Sequence, residues 1–204
     1  AYDAATAALN TLFDRLRTLR AFVMGLVTTD SRDTAAQARA SEMRRETVAL
    51  STLTTRYTAW LGTLEADALL ARSATARAHE HPLRQAQIAA THLMSAAEEN
   101  LAAELALSGS SAWARLHGDL TSQLVVPLDG QNQPMSVVRA LATDRDPDLR
   151  KRAYDAELAA WKTVALPLAA ALNGIKHETN VLSRKRGWED PLDAACFTNA
   201  IDRA

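Results

Sequence analysis

The feature that most constrains this fold is an unusually long helical pattern in residues 147–187. Apolar side chains recur there at three- and four-residue steps, the spacing of one face of a helix. Asp146 can accept hydrogen bonds from the free amide groups of a first turn, and Pro147 suits the first helical position. Gly187 offers the backbone freedom that a helix end needs. The sequence therefore predicts about forty residues of helix, well beyond the average length in globular proteins.

Pro167 interrupts this pattern near its middle. A proline has no amide hydrogen to donate, and its ring crowds the preceding turn. We therefore expect a kink or a short break within residues 164–168.

The composition indicates the same class of fold for the rest of the chain. Alanine and leucine are abundant, whereas only 7 glycines and 6 prolines occur in 204 residues. Apolar residues make up 48% of the chain, which is enough for a core of ordinary size. We predict a mainly α protein in which long antiparallel helices pack as a bundle.

Two long amphipathic helices are predicted near the N-terminus. Apolar residues from Leu9 to Leu26 follow three- and four-residue steps, with charged residues between them. One face of this first helix is therefore expected to be buried. A second pattern runs from Ala36 to Leu64. Residues 28–31 supply a break and a new cap, and so short a connection favours an antiparallel pair.

A capping box marks the start of another helix. The Ser95 hydroxyl can accept from the amide three residues later, and Glu98 can reach back to the amide of the serine. This helix is expected to stop at Gly109, and Ser110 or Ser111 is expected to cap the next one.

Residues 123–137 differ in character, because apolar and β-branched residues precede a strong turn signal, Asp129-Gly130. We predict one small β-hairpin here, with Pro127 keeping its strand at an edge. Two strands alone are marginally stable in water, so the hairpin must lie against helices or a missing part of the protein. A helix in residues 136–143 should follow.

The chain is expected to divide into an N-terminal helical hairpin region, residues 1–91, and a second region, residues 92–204. The second region holds the β-hairpin and the long kinked helix. Residues 197–204 are interpreted as the approach to a further helix, with Asn199 or Asp202 as its cap.

Charge and cysteine content restrict the partners. The 23 basic and 24 acidic residues give a net charge of −1, so no overall field attracts nucleic acid or an anionic membrane. No segment has the roughly 20 apolar residues that a membrane-spanning helix needs. Cys196 is the only cysteine, which excludes an internal disulfide and favours a cytoplasmic location.

No complete catalytic or metal-binding motif occurs in the sequence. A helical zinc peptidase needs His-Glu-x-x-His, which places two imidazoles on one helix face. His177-Glu178 begins this motif, but Val181 stands where the second histidine is required. His79 and His81 are two residues apart and would point in different directions on a helix. We therefore predict no catalytic, cofactor-binding or metal-binding residue in this chain.

The remaining histidines and the tryptophans are interpreted mainly as structural. His92 is expected to pack near the start of the helix that follows Ser95. At helical spacing Trp60, Trp113 and Trp161 are expected in the core. Trp188 follows a helix end, so it has the strongest case as a peptide-stacking surface, although packing is favoured for it too.

A series of short segments runs through residues 92–203. Its members are His92-Leu93-Met94-Ser95-Ala96-Ala97-Glu98-Glu99, Ser108-Gly109-Ser110-Ser111-Ala112-Trp113-Ala114-Arg115-Leu116, Arg150-Lys151-Arg152-Ala153-Tyr154, Ala170-Ala171-Leu172-Asn173-Gly174-Ile175-Lys176, Arg186-Gly187-Trp188-Glu189-Asp190-Pro191-Leu192 and Asn199-Ala200-Ile201-Asp202-Arg203. In order and spacing, the series resembles the N-terminal part of the oligoendopeptidase F family of zinc metallopeptidases, which are much longer proteins.

The resemblance implies a largely helical, thimet oligopeptidase-like enzyme that encloses a cavity and cleaves short to medium peptides with a single zinc ion. The metal ligands and catalytic residues of that family lie in its C-terminal half, so zinc is expected outside this chain. The present residues would form part of the cavity wall and be inactive alone. Their expected partners are peptide substrates and the missing C-terminal catalytic domain.

By the same resemblance, Arg150, Tyr154 and Arg186 are expected to hold the long helix against neighbouring elements. Arg–carboxylate pairs and a buried, hydrogen-bonded tyrosine are the physical means. His177 is a departure, since the family often has glycine after Asn-Gly-Ile-Lys. A close backbone approach at that position is therefore not expected here.

A free-standing helical binding or scaffold module without enzymatic activity is the alternative interpretation. The two interpretations differ in one physical consequence. As part of a peptidase, these residues should expose apolar surface that the missing part covers, and such a fragment is expected to self-associate.

Overall fold

The structure is a computed structural model that describes residues 1–30 and 32–203. It confirms a mainly α fold with a single two-stranded antiparallel hairpin in the described residues. The chain forms two compact units, one of residues 1–107 with 180–204 and one of residues 108–179. The functional division into residues 1–91 and 92–204 stays a prediction.

The helices of the first unit are α1 (Tyr2–Thr29), α2 (Thr34–Gly62), α3 (Ala66–Arg72), α4 (Ala74–Ala78), α5 (Glu80–Thr91), α6 (Ala96–Leu105) and α11 (Pro191–Asn199). The second unit holds α7 (Ser110–Gln123), β1 (Val125–Leu128), β2 (Gln131–Pro134), α8 (Met135–Ala140), a 3-10 turn (Leu141–Thr143) and α9 (Pro147–Thr163). Helix α10 (Ala165–Lys185) passes from the second unit into the first.

Helices α1 and α2 form the predicted antiparallel pair. The hydroxyl groups of Thr6, near the start of α1, and Tyr57, near the end of α2, lie 2.8 Å apart. The cap of α2 is Asp33, whose carboxylate accepts from the amides of Ala35 and Ala36. The cap was expected within residues 28–31, of which Ser31 lies outside the described residues.

The core of the first unit lies where α2 meets the short helices α3, α4 and α5. Its buried members are Tyr2, Leu61, Ala66, Leu69, Ala76 and Leu83. Gly62 permits close packing of α2 on α5, because a Cβ atom there would lie 2.5 Å from the Cβ of Ala90. Real Cβ atoms do not approach so closely, so this contact requires glycine.

The expected buried face of α1 is only partly buried. Val23 is buried in the second half of the helix, whereas Leu19, Phe22 and Leu26 are exposed. The periodicity predicted the helix correctly. It did not reveal that the described residues leave part of its apolar surface uncovered.

The hairpin of the second unit forms as predicted. Strand β1 pairs with β2 in antiparallel register, and Asp129 and Gly130 both have positive φ, as a two-residue type I′ turn requires. Val126 and Leu128 are buried against α8 and α9 in a small apolar core. This core meets the requirement that the hairpin lie against helices.

The long helical stretch begins and bends as predicted. Asp146 accepts from the Asp148 amide at 2.9 Å, and Pro147 is the first helical residue. The axis bends by 66° at Val164, between α9 and α10. No single helix of the described residues is long and apolar enough to cross a bilayer; α9 and α10 meet those criteria only together, across this bend.

Three local predictions are wrong. Helix α6 ends at Leu105 and not at Gly109. The residue at the cap position of α7 is Gly109, which has no side chain to accept a hydrogen bond, and not Ser110 or Ser111. Within the part of the chain that the structure describes, the last residues do not lead to a new helix; they follow α11, a helix that was not predicted. Residues 197–199 form its last turn, and its cap is Asp190 at the other end, which accepts from the Leu192 amide at 2.9 Å.

Candidate functional site

The most densely connected side chains in the first unit lie at the C-terminal end of α10. There Gly187 has a φ of 75°, and the amide of Trp188 donates to the carbonyl of Ser183 at 3.0 Å. The Gly187 amide donates to the Arg184 carbonyl at 3.1 Å. This is the Schellman pattern of a glycine-terminated helix, and it fixes where Trp188 leaves the helix.

A two-point ion pair joins this helix end to α6. Nε of Arg186 lies 3.0 Å from Oε1 of Glu99, and Nη2 lies 2.7 Å from Oε2. Oε1 of Glu99 also accepts from the Met94 amide at 3.2 Å. The Glu99 side chain is 5% exposed, so few water molecules can replace these partners. The predicted role of Arg186 in holding the long helix is therefore confirmed, with Glu99 as its partner.

The ion pair changes the acidity of the buried carboxyl group. Hydrogen bonds from the Arg186 guanidinium lower the pKa of Glu99, which outweighs the opposing effect of burial, and the Met94 amide acts in the same direction. The charged form of Glu99 is thus the stable form in the folded protein at neutral pH.

An aromatic stack lies beside this pair. The rings of His92 and Trp188 are nearly parallel, with centroids 3.6 Å apart, and the ring centroids of Trp188 and Phe197 of α11 lie 5.3 Å apart. Nδ1 of His92 lies 3.1 Å from the backbone oxygen of Arg186. A carbonyl oxygen only accepts, so Nδ1 carries the proton. We call His92, Glu99, Arg186, Trp188 and Phe197 the helix-end cluster.

We expect the stability of the protein to fall in acid because of Glu99. A carboxyl group whose pKa is lowered by folding stabilises the fold above its unfolded pKa of about 4.3, and that contribution is lost as the pH falls through the folded value. Urea denaturation between neutral pH and pH about 3 should show this loss. The Glu99→Gln variant should show a weaker pH dependence, and an unchanged dependence would contradict the assignment.

An open groove borders the cluster. It is lined by Asn180, Arg184, Trp188, Glu189, Asp190 and Pro191. Asp190 is engaged by the Leu192 amide and by Arg203 at 3.0 Å. Its described lining residues include no nucleophile with an adjacent base.

The second unit contains a cap that crosses between helices. Glu178 of α10 accepts from the Ser110 amide at 2.6 Å and from its hydroxyl at 2.7 Å. The carboxylate of Glu178 is also stabilised by the positive end of the α7 dipole. The serine was expected to be the cap; instead it donates to one.

Replacing Glu178 by alanine should lower the free energy of unfolding by about 1–2 kcal/mol, because the first turn of α7 loses its acceptor. Glu46→Ala, in the exposed middle of α2, is a control that should change stability by about 0.5 kcal/mol or less. Chemical denaturation of both variants measures the difference. Equal effects would show that Glu178 does not cap α7.

The glycine of the Asn-Gly-Ile-Lys segment has a packing role. A Cβ on Gly174 would lie 2.6 Å from Nε1 of Trp113, so the indole packs directly on the backbone of α10. Trp113 and Gly174 belong to different segments of the series that carries the family resemblance. Their contact brings two of those segments together in this unit.

Arg150 and Tyr154 were also expected to hold the long helix. Arg150 does so through backbone oxygens, and Tyr154 does not. Arg150 donates to the backbone oxygens of Asp144 at 2.7 Å and Arg145 at 3.3 Å, so it fixes the segment before α9 without pairing to a carboxylate. Tyr154 was expected to be buried and hydrogen-bonded. Its residue is 61% exposed, and its hydroxyl makes no hydrogen bond within the described part of the chain. Replacing Tyr154 by phenylalanine is therefore not expected to lower the stability of this chain.

The other sequence candidates are dispersed. Nδ1 of His79, the residue that follows α4, lies 2.9 Å from the Thr75 carbonyl oxygen, and Cys196 is a half-buried free thiol. Nε1 of Trp161 donates to Glu157 at 3.1 Å. Across residues 1–30 and 32–203 no group of three or more His, Cys, Asp or Glu side chains could hold a metal ion. The zinc that the family resemblance implies therefore has no fitting ligand set in these residues.

Comparison with known proteins supports the resemblance seen in the sequence. Residues 62–125 match the family model described as Oligopeptidase F. No curated protein sequence matches the chain. The crystal structure of oligoendopeptidase-F from Enterococcus faecium is similar with a TM-score of 0.78 and 15% identity, over 98% of this chain and 42% of that one.

Two further structures share the fold. A putative oligoendopeptidase F has a TM-score of 0.66 and 14% identity, and PZ peptidase A has a TM-score of 0.67 and 13% identity. They are matched over 97% and 100% of this chain, which spans 33% and 34% of theirs. The resemblance to the N-terminal part of oligoendopeptidase F is thus confirmed, and the chain spans less than half the length of these relatives.

Proposed function

We propose, from the premise that this chain corresponds to the N-terminal part of an oligoendopeptidase F, that it is the helical portion of a cytoplasmic zinc-dependent peptidase. The complete enzyme hydrolyses short to medium peptides. This portion forms part of the wall of the substrate cavity and is inactive alone. The observation that carries the proposal is the fold match over 98% of this chain at a TM-score of 0.78, together with the family-model match.

The side chains present support a metal site outside these residues. His177 and Glu178 lie on α10, but Val181 occupies the position of the second imidazole, and Glu178 is engaged in capping α7. A zinc ion bound by protein side chains alone needs three or four ligands. Such a set is expected in the remaining part of the enzyme.

The helical architecture supports the role as a wall. Long helices can line a cavity without loops. A folded protein wider than the opening of such a cavity would be excluded. Short peptides are then the substrates that reach the metal. The cytoplasmic location is proposed from the single cysteine and the balanced charge.

The test is made on the complete protein purified from its native cell. Intact mass, zinc content and cleavage of quenched fluorescent peptides are measured, with and without a chelator. The proposal expects a mass well above 22.1 kDa, one zinc and chelator-sensitive cleavage of peptides but not of a folded protein. The 204-residue chain alone should show no turnover. A native mass near 22.1 kDa without zinc would overturn the proposal.

A further inference from the structure

Helices α9 and α10 carry large apolar side chains that the described residues leave uncovered. Tyr154 and Leu158 are exposed on α9, at 61% and 43%, and Leu166 and Leu172 are exposed on α10, at 84% and 57%. Tyr154 and Leu158 are four residues apart, so they share one helix face. We call these four residues the elbow surface, since they lie on both sides of the 66° bend.

The same two helices already bury another face. Ala153 and Ala160 of α9 are buried against the hairpin and α8, and Ala171 of α10 is buried while Gly174 contacts Trp113. A surface helix normally has a single apolar stripe, whereas a helix that is apolar on several sides is an interior helix. Helices α9 and α10 therefore each carry large apolar side chains on a side other than the one that is buried here.

The similar structures are much longer than this fold. The three similar structures share this fold over only 42%, 33% and 34% of their lengths, so more than half of each relative is a further part of the same polypeptide. A part of that size can cover both arms of a bent helix pair. It is connected to this fold covalently, which raises its local concentration far above that of a separate partner.

We infer that the elbow surface is the region on which the remaining, metal-binding part of the same polypeptide packs. Leu166 and Leu172 are six residues apart and lie on different sides of α10, so that part contacts more than one side of this helix. The inference rests on the proposed function for the identity of the occupant. It goes further by assigning the contact to Tyr154, Leu158, Leu166 and Leu172. It also gives the exposed Tyr154 a role, as an aromatic group that the remainder of the enzyme covers.

Thiol labelling tests this assignment. Cys196 is replaced by serine, and single cysteines are introduced as Leu158→Cys, Leu172→Cys and, as the matched control, Ala159→Cys. Ala159 is exposed, and it lies one residue beyond Leu158, on a different side of α9. The rate of reaction with a maleimide is measured in the 204-residue chain and in the complete protein.

We expect the cysteines at 158 and 172 to react at least about tenfold more slowly in the complete protein than in the chain, because covered thiols react only through local opening. The control at 159 should react at similar rates in both. Equal rates at all three positions would overturn the inference. The inference would also be overturned if the reaction at positions 158 and 172 became slower in the 204-residue chain as its concentration increased. A second copy of the chain would then cover the surface.

Peptide cleavage by the complete Cys196→Ser protein is measured in parallel. Zinc-dependent cleavage with an unprotected elbow surface would overturn this inference and leave the proposed function intact. A complete protein without zinc or peptidase activity would overturn the proposed function, and with it the occupant assigned here.

Discussion

Replacing Arg186 by leucine is expected to lower the free energy of unfolding by about 2–4 kcal/mol. This is somewhat less than the effect of removing one partner of a fully buried ion pair, because the Arg186 side chain is 35% exposed. The substitution leaves the Glu99 carboxylate, 5% exposed, with the Met94 amide as its remaining hydrogen-bond donor among the described residues. An uncompensated charge in such a place is strongly destabilising. Urea denaturation at neutral pH gives the value directly.

An exposed ion pair provides the control for this experiment. Lys151 and Asp155 are 3.0 Å apart on α9, and both side chains are mostly exposed. Lys151→Leu should therefore change stability by about 0.5 kcal/mol or less. The double variant Arg186→Leu with Glu99→Leu should recover part of the loss, since no charge remains buried. A loss in Arg186→Leu no larger than that of the control would contradict the role assigned to the pair.

Replacing Gly62 by alanine should lower the free energy of unfolding by about 2–3 kcal/mol, in the range measured for overpacked cores. The new Cβ would lie 2.5 Å from the Cβ of Ala90, which is fixed to the backbone of α5. No side-chain rotation relieves this contact. Helices α2 and α5 must separate, and the apolar core beside them must repack.

Gly25→Ala is the matched control, because no atom lies within 4 Å of a Cβ built at that position in α1. There the substitution should stabilise the protein by about 0.5–1 kcal/mol, the usual difference between the two residues inside a helix. Thermal or urea denaturation of both variants should thus give effects of opposite sign. A Gly62→Ala variant as stable as the parent protein would show that α2 and α5 are not packed so closely.

Much of the secondary structure could be predicted because its signals are local. The Asp146-Pro147 start, the capping box at Ser95 and the Asp129-Gly130 turn each depend on groups within a few residues. The start of α11 was missed although Asp190-Pro191 is a signal of the same kind. That error was one of interpretation, since the required information was present in the sequence.

The helix-end cluster was predicted only in part. Arg186 was expected to pair with a carboxylate, but the sequence did not indicate which one, and Glu99 lies 87 positions away along the chain. The stack of His92 on Trp188 and the cap of α7 by Glu178 are contacts of the same long-range kind. Tyr154 was wrongly expected, from the family resemblance, to be buried. A shared sequence motif does not indicate which part of the protein covers a given side chain.

The sequence by itself determined the class of the fold, the places where most helices begin and the position of the hairpin and the bend. It could do so because capping, turn formation and the missing amide of proline act between neighbouring residues. Only the tertiary structure decided which carboxylate meets Arg186, which glycine contacts Trp113 and which apolar faces stay open. Those outcomes depend on the path of the backbone between distant residues, and periodicity describes a single helix without its neighbours.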